Sequence, residues 1–248
     1  REVVQKVAEK CYIPTNRALL RMIKRFNGAF KVAFSITGIA IEHMELYAPE
    51  ALDSFVELAN TGCVEFLSET YYHSMASLYD RDEFIDQVES HKRLMQNLFH
   101  QTPTVFRNTE LIYNNDIGRL VGDLGYKAVI AEGVDDVLGW RTPNHVFTVP
   151  GRDTRVLLKN YSLSDDIAFR FSNTAWAQYP LTPDKFAACV HRLNGQADVL
   201  NLFMDYETFG EHQWAETGIF DFLEALPDAV MTGGWDFCTP SEAINRYN

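Results

Sequence analysis

DVLNLFMDYETFGEHQW, residues 198–214, decides how the chain is read. Val199, Leu200, Leu202, Phe203 and Met204 form an apolar run broken only by Asn201. A run of this kind reads as a parallel strand buried on both faces. It stops at Asp205, and Tyr206, Glu207, Phe209, Glu211, His212 and Trp214 follow, with Gly210 available for a turn. Acids, a histidine and aromatics at the C-terminal end of a buried strand are the arrangement of an α/β active site. The competing reading is a solvated acidic loop.

Outward from that stretch, strand and helix signals alternate. Upstream, Thr182-Pro183 caps a helix carried by Phe186, Cys189, Val190 and Leu193 and closed by Gly195. Downstream, a helix is expected over 216–226, then a short apolar stretch at 229–231. Earlier strands are expected at 30–36, 63–67, 104–106, 127–131 and 155–159. Helices are expected at 2–11, 14–26, 49–59, 82–99 and 116–124; the clearest carries Phe84, Ile85, Val88, Leu94, Met95 and Leu98 on one stripe. Residues 133–150, rich in Gly, Pro and Asp, read as a long functional loop. The alternation predicts one α/β domain over 1–248, either a parallel (β/α) barrel or an open parallel sheet.

Composition narrows the function. A chain of 248 residues, 46% hydrophobic, can bury one large core. Its net charge of −12 speaks against a nucleic-acid or anionic-membrane partner. The 13% aromatic content suits neutral ligands such as sugars. Cys11, Cys63, Cys189 and Cys238 are far apart, with no CxxC pair, and read as reduced thiols of a cytoplasmic protein. No signal peptide, membrane-length apolar run, GxGxxG or P-loop is present, so no cofactor is expected.

Three strand ends carry candidate chemistry. VEFLSETYYHSM (64–75) offers Glu65, Glu69, Tyr71, Tyr72 and His73, with His73 either a ligand-binding group or a packed, hydrogen-bonded one. FRNTELIYNN (106–115) offers Glu110, whose apolar neighbours predict desolvation, with Arg107 and Asn108 near enough to pair it. Its competing reading is a surface glutamate at a helix start. The third end is the opening stretch with Asp205. A carboxylate pair on two strand ends is the equipment for cleaving a glycosidic bond, one acid attacking or activating water while the other protonates the leaving oxygen.

These motifs, with EGVDDVLGWR (132–141) and LSDDIAFRFSN (163–173), resemble glycoside hydrolase family 57, in its α-amylase-like branch, over essentially the whole chain. The resemblance implies a catalytic (β/α)7 barrel, retention of anomeric configuration, and α-glucan substrates cleaved without metal or cofactor. It puts the nucleophile on Glu110 and the general acid/base on Asp205. His73 and Trp214 match positions that line sugar subsites, and the same role extends to Trp140, Asp166, Arg170 and His212. For the tryptophans the alternative is ordinary packing; for Asp166 and Arg170 it is a structural ion pair. The family's first motif, a His-Gln-Pro strand, is absent. The expectation is therefore a barrel short of its first strand, from a chain truncated at both ends. Two rival functions remain: a metal-dependent polysaccharide deacetylase using Asp205, Glu207 and His212, and a catalytically silent glucan-binding relative.

Overall fold

A computed structural model describes residues 1–247. The strands are β1 (Val32–Phe34), β2 (Val64–Phe66), β3 (Val105–Arg107), β4 (Ala128–Glu132), β5 (Phe147–Thr148) and β6 (Arg155–Lys159). β1 pairs with β2, β3 with β4, and β4 with β6, all parallel; only the short β5 is antiparallel, against β6. Single parallel bridges, Ser68 to Phe106 and Lys159 to Asn201, join these pieces into one curved wall. The wall therefore runs β1–β2–β3–β4–β6 and then the extended segment 199–204.

Helices return the chain between the parallel strands. In order they are α1 (Glu2–Val7), α2 (Ile13–Arg25), α3 (Gly38–Tyr47), α4 (Pro49–Ala59), α5 (Ala76–Tyr79), α6 (Arg81–Phe99), α7 (Asn115–Asp123), α8 (Asp135–Leu138), α9 (Tyr161–Ala168), α10 (Pro183–His191), α11 (Ile219–Met231) and α12 (Pro240–Arg246). Alternation along each strand sorts its side chains between two cores. Outward-facing Phe34, Val64 and Phe66 pack with Leu19, Met22, Phe55 and Leu58 of α2 and α4. Outward-facing Phe106, Val129, Ala131, Val156 and Leu158 pack with Phe84, Val88, Ile117 and Val121 of α6 and α7. The opposite phase, Leu67, Val105, Ala128, Ile130, Leu157 and Val199, fills the interior together with Ala243 and Ile244 of α12. Glu65, also inward, accepts hydrogen bonds from the Ser241 amide (2.9 Å) and hydroxyl, which fixes α12 against the lower end of the wall.

Several expectations change. The two helices expected at 2–11 and 14–26 are one continuous helical arm, in which a π-helical turn at Ala8–Tyr12 joins α1 to α2. Pro14 sits in the first turn of α2, where its missing N–H is tolerated. α11 runs to Met231 through Pro227, so the stretch at 229–231 is the end of that helix. Segment 199–204 is not a strand buried on both faces: Val199 is buried, but the residues from 200 to 204 are half-buried. Its one strand partner among the described residues is β6; its other side borders a cavity of about 890 Å³ that reaches across to β1. Asn201, the break in the apolar run, explains how the segment is held, because its amide donates to the Leu158 carbonyl (3.1 Å).

Candidate active site

The inward phase of each strand, followed one step past the interior apolar layer, delivers polar residues to the C-terminal end of the wall. Ser35 follows Ala33, Glu69 follows Leu67, Arg107 follows Val105, and Asp205 follows Phe203. All four line the large cavity, as does His73. The Arg107 guanidinium also lies 5.5 Å from the centroid of Phe203, which ties β3 to the segment bearing Asp205.

Glu69 is the buried centre of the group, at 1% exposure. Its carboxylate accepts from the Ser35 hydroxyl (2.7 Å) and lies 3.5 Å from the Arg107 guanidinium. Its backbone N–H points at Nδ1 of His91 (3.4 Å), while His91 Nε2 donates to the Ile36 carbonyl (2.8 Å). That pair of contacts assigns one tautomer to His91, and burial keeps its pKa below the usual histidine value.

His73 stands between two carboxylates. Its Nδ1 is 4.0 Å from Glu69 Oε2, an ion-pair distance, and its Nε2 is hydrogen-bonded to Glu110 Oε1 at 2.7 Å. Glu69 first and then Glu110 raise its pKa, against opposition from partial burial and from Arg107. The same contact with His73, helped by Arg107, holds the Glu110 carboxyl below the ordinary carboxylate range.

Glu110 sits in a 3-10 turn, Thr109–Leu111, directly after β3. Glu110 and Leu111 both take left-handed backbone (φ 53° and 55°), as does His73 (φ 54°). Strain of this kind in consecutive non-glycine residues persists only where the surroundings over-determine it. Here the Leu111 and Ile112 amides bond back to the Asn108 and Thr109 carbonyls, and the Asn108 side chain donates to the Ile112 carbonyl (3.0 Å). The expected desolvation of Glu110 does not occur, since 69% of its side chain is exposed. Nor do Arg107 and Asn108 pair it: Arg107 turns to Glu69, Asn108 braces the turn, and His73 supplies the contact.

The remaining sequence candidates lie away from the cavity lining. Trp140 is 92% exposed on the turn after α8. Trp214 is 60% exposed and lies under the Lys10 ammonium, 5.5 Å from its ring centroid. His212 is exposed. Asp166 and Arg170 pair with each other (2.5 Å) at the end of α9, the structural alternative left open for them. Of the donors weighed for a metal, Asp205 and Glu207 both line the cavity, where Glu207 accepts from the Tyr12 hydroxyl (2.5 Å), and His212 does not. No cluster of three or more His, Cys, Asp or Glu arranged to hold a metal occurs among the described residues. Sequence reasoning missed Ser35 and His91. Period-two extension of β1 past Ala33 was the available signal for Ser35, whereas none pointed to His91.

The whole chain, residues 1–248, matches the model of Glycosyl hydrolase family 57. A Methanocaldococcus jannaschii protein provisionally named an alpha-amylase is 50% identical over 228 residues, which is 92% of this chain and 48% of that protein. The chain thus spans about half the length of that curated relative. The crystal structure of 4-alpha-glucanotransferase from Thermococcus litoralis superposes with a TM-score of 0.77 at 18% identity, over 99% of this chain and 38% of that one. A branching enzyme of the same family from Thermococcus kodakaraensis gives 0.75 at 13% identity, over 100% and 67%. At such identities these superpositions speak for the fold, which is the (β/α)7-barrel fold that the family resemblance implied.

Proposed function

The chain belongs to glycosyl hydrolase family 57, and from that premise we propose that it cleaves α-1,4-linked glucans with retention of configuration. Glu110 is the nucleophile of this reading and Asp205 its general acid/base. One observation carries it: Glu110 is bound through His73 to the same buried carboxylate–guanidinium group that lines a cavity with Asp205. Ionised Glu110 attacks the anomeric carbon as the glycosidic C–O bond breaks, and protonated Asp205 gives its proton to the departing oxygen. Water then loses a proton to Asp205 and displaces Glu110, restoring both groups. A sugar hydroxyl in place of water makes the same second step a glucan transfer.

His73 serves in this reading to hold Glu110 ionised and aimed, rather than as a sugar contact alone. Trp140 and Trp214, on loops at the same end of the wall, offer exposed apolar faces to a glucan chain. Asp166, Arg170 and His212 act at most on the outer stretch of such a chain. A cytoplasmic location belongs to this reading; four free thiols, two of them buried, suit a reducing compartment, and no helix among the described residues is long and apolar enough to cross a membrane.

The test is substitution and trapping in the full-length protein. Asp205→Asn is expected to lower turnover of maltooligosaccharides by about 10²–10⁴-fold, the scale of a lost general acid/base, and Glu110→Gln by at least as much. In the Asp205→Asn protein an activated glucosyl fluoride should label Glu110, as read by peptide mass mapping. Label on Glu69 or Glu207 would assign the nucleophile elsewhere.

A further inference from the structure

The turn that follows Asp205 is held largely by the N-terminal helical arm. Residues at helical spacing on one face of that arm, Cys11 with Thr15 and Tyr12 with Asn16, all reach residues 206–209. The Cys11 thiol donates to the Tyr206 carbonyl (3.1 Å), the Tyr12 hydroxyl to Glu207 Oε1 (2.5 Å) and the Thr15 hydroxyl to the Phe209 carbonyl (3.2 Å). In return the Tyr206 hydroxyl donates to Asn16 Oδ1 (2.5 Å). The Tyr12 and Tyr206 rings lie 6.1 Å apart and near parallel (10°). Lys10 beside them and Lys6 one turn earlier pair with Glu211. Gly210 (φ 110°) closes the contact, because a Cβ there would lie 1.9 Å from the Lys10 carbonyl oxygen.

The π-helical turn is local to this contact. It spans Ala8–Tyr12, the stretch that contributes Lys10, Cys11 and Tyr12. π-turns are costly interruptions of an α-helix and concentrate at functional sites. On the other side, Asp205 is extended backbone (ψ 135°) leading straight into the Tyr206–Thr208 turn that the arm grips. Any shift of that turn moves the Asp205 carboxyl.

We infer that the N-terminal arm is the positioning element for the general acid/base, with the Tyr12–Glu207 hydrogen bond as its principal grip. This rests on the reading of Asp205 given above. Tyr12 and Glu207 line the same cavity as Asp205, and in this inference they act through Asp205 and not on the reacting atoms. Burial, reinforced by Glu207, pushes the Tyr12 hydroxyl well above its ordinary pKa, so it stays a donor throughout the working range.

The test separates substrates by their need for acid assistance. A maltooligosaccharide leaving group needs a proton from Asp205, whereas fluoride in an α-maltosyl fluoride leaves without one. Tyr12→Phe in the full-length protein is expected to lower kcat/KM for the oligosaccharide by ~10-fold or more, within the range for an ångström-scale misplacement, and to spare the fluoride. The quotient of the two constants is independent of how much protein is folded, so a fall in stability does not obscure it. Glu207→Gln keeps an oxygen acceptor for Tyr12 and is expected to hold the wild-type quotient to within ~2-fold. An unchanged quotient in Tyr12→Phe, or equal losses on both substrates, overturns the inference. Full oligosaccharide turnover by Asp205→Asn would instead overturn the assignment of Asp205 itself.

Discussion

His73→Asn separates the catalytic from the structural role of the clamp on Glu110. His73 takes left-handed backbone (φ 54°), which asparagine tolerates better than most residues, so the substitution adds no backbone strain. It is too short to reach Glu110. The lost contact joins side chains with 40% and 69% of their surface exposed, and pairs this wet contribute about 0.2–1 kcal/mol. For a domain of this size that is a fall of at most ~2–4 °C in Tm. Activity should fall much further. Freed from His73, Glu110 samples other rotamers, and a misplacement of about 1 Å costs on the order of 10²-fold in rate.

The pH dependence gives the clamp its signature. The His73 pKa is raised, so its contribution is complete below the usual value of 6.5 and is lost as pH rises through the folded value. The Glu110 pKa is lowered, so its contribution is present above the usual 4.5 and is lost as pH falls through the folded value. The clamp is whole between those limits. In His73→Asn the acid limb of kcat/KM should move up toward the ordinary carboxylate value, and any alkaline limb due to His73 should vanish. Initial rates on one maltooligosaccharide across pH, set beside thermal melts at each pH, make the measurement. Wild-type kcat/KM with an unmoved acid limb would refute the clamp, and so would an activity loss no larger than the loss of folded protein.

Two further outcomes follow from the same geometry. Glu69→Ala removes the buried partner of Arg107, whose Nε has no hydrogen-bond partner among the described residues, and should destabilise the protein by about 3 kcal/mol, the lower end for breaking a buried pair because the contact is long at 3.5 Å; urea unfolding giving under ~1 kcal/mol would show that Arg107 is solvated or re-paired. A crystal structure with a bound oligosaccharide should place the Glu110 and Asp205 carboxyls about 5–5.5 Å apart, the retaining distance, while about 6.5–9.5 Å would make Glu110 a base that activates water.

The parts of the fold that depend on short-range pattern were legible. The strand expected at 127–131 is β4 shifted by one residue, and that at 155–159 is β6 without change. Their apolar residues alternate between two buried faces, so both read as continuous runs. Five helices went unassigned: the four-residue α5 and α8, and three longer ones for different reasons. α3 opens with Gly38, where a Cβ would strike the Tyr71 ring at 2.5 Å, so a contact with a distant residue and not local propensity explains that glycine. α9 is capped by Asn160, whose side chain accepts from the Leu163 amide (3.0 Å), but its apolar stripe is short. α12 did carry a readable signal, since Thr239-Pro240-Ser241-Glu242 forms a capping box with proline in its first turn.

The site divides in the same way. The place of Asp205 in the cavity lining was legible, because the phase of the extended segment 199–204 and its C-terminal end locate it. The setting of Glu110 was not. Its exposure and ion pairing depend on His73, which lies 37 positions away on another strand's loop. What the pattern around Glu110 did reveal, a carboxylate among apolar residues, pointed to burial, but Leu111 turns inward and leaves its neighbour in water. The grip of Tyr12 on Glu207 spans 195 positions. From the sequence, Cys11, Tyr12, Thr15 and Asn16 make only a mildly polar stripe on an N-terminal helix, and Pro14 reads as the end of one helix and the start of another. The stripe acquires meaning only when the strand bearing Asp205 is laid beside it. A barrel makes such meetings the rule: strand order fixes which loops become neighbours, and no spacing along the chain encodes that order.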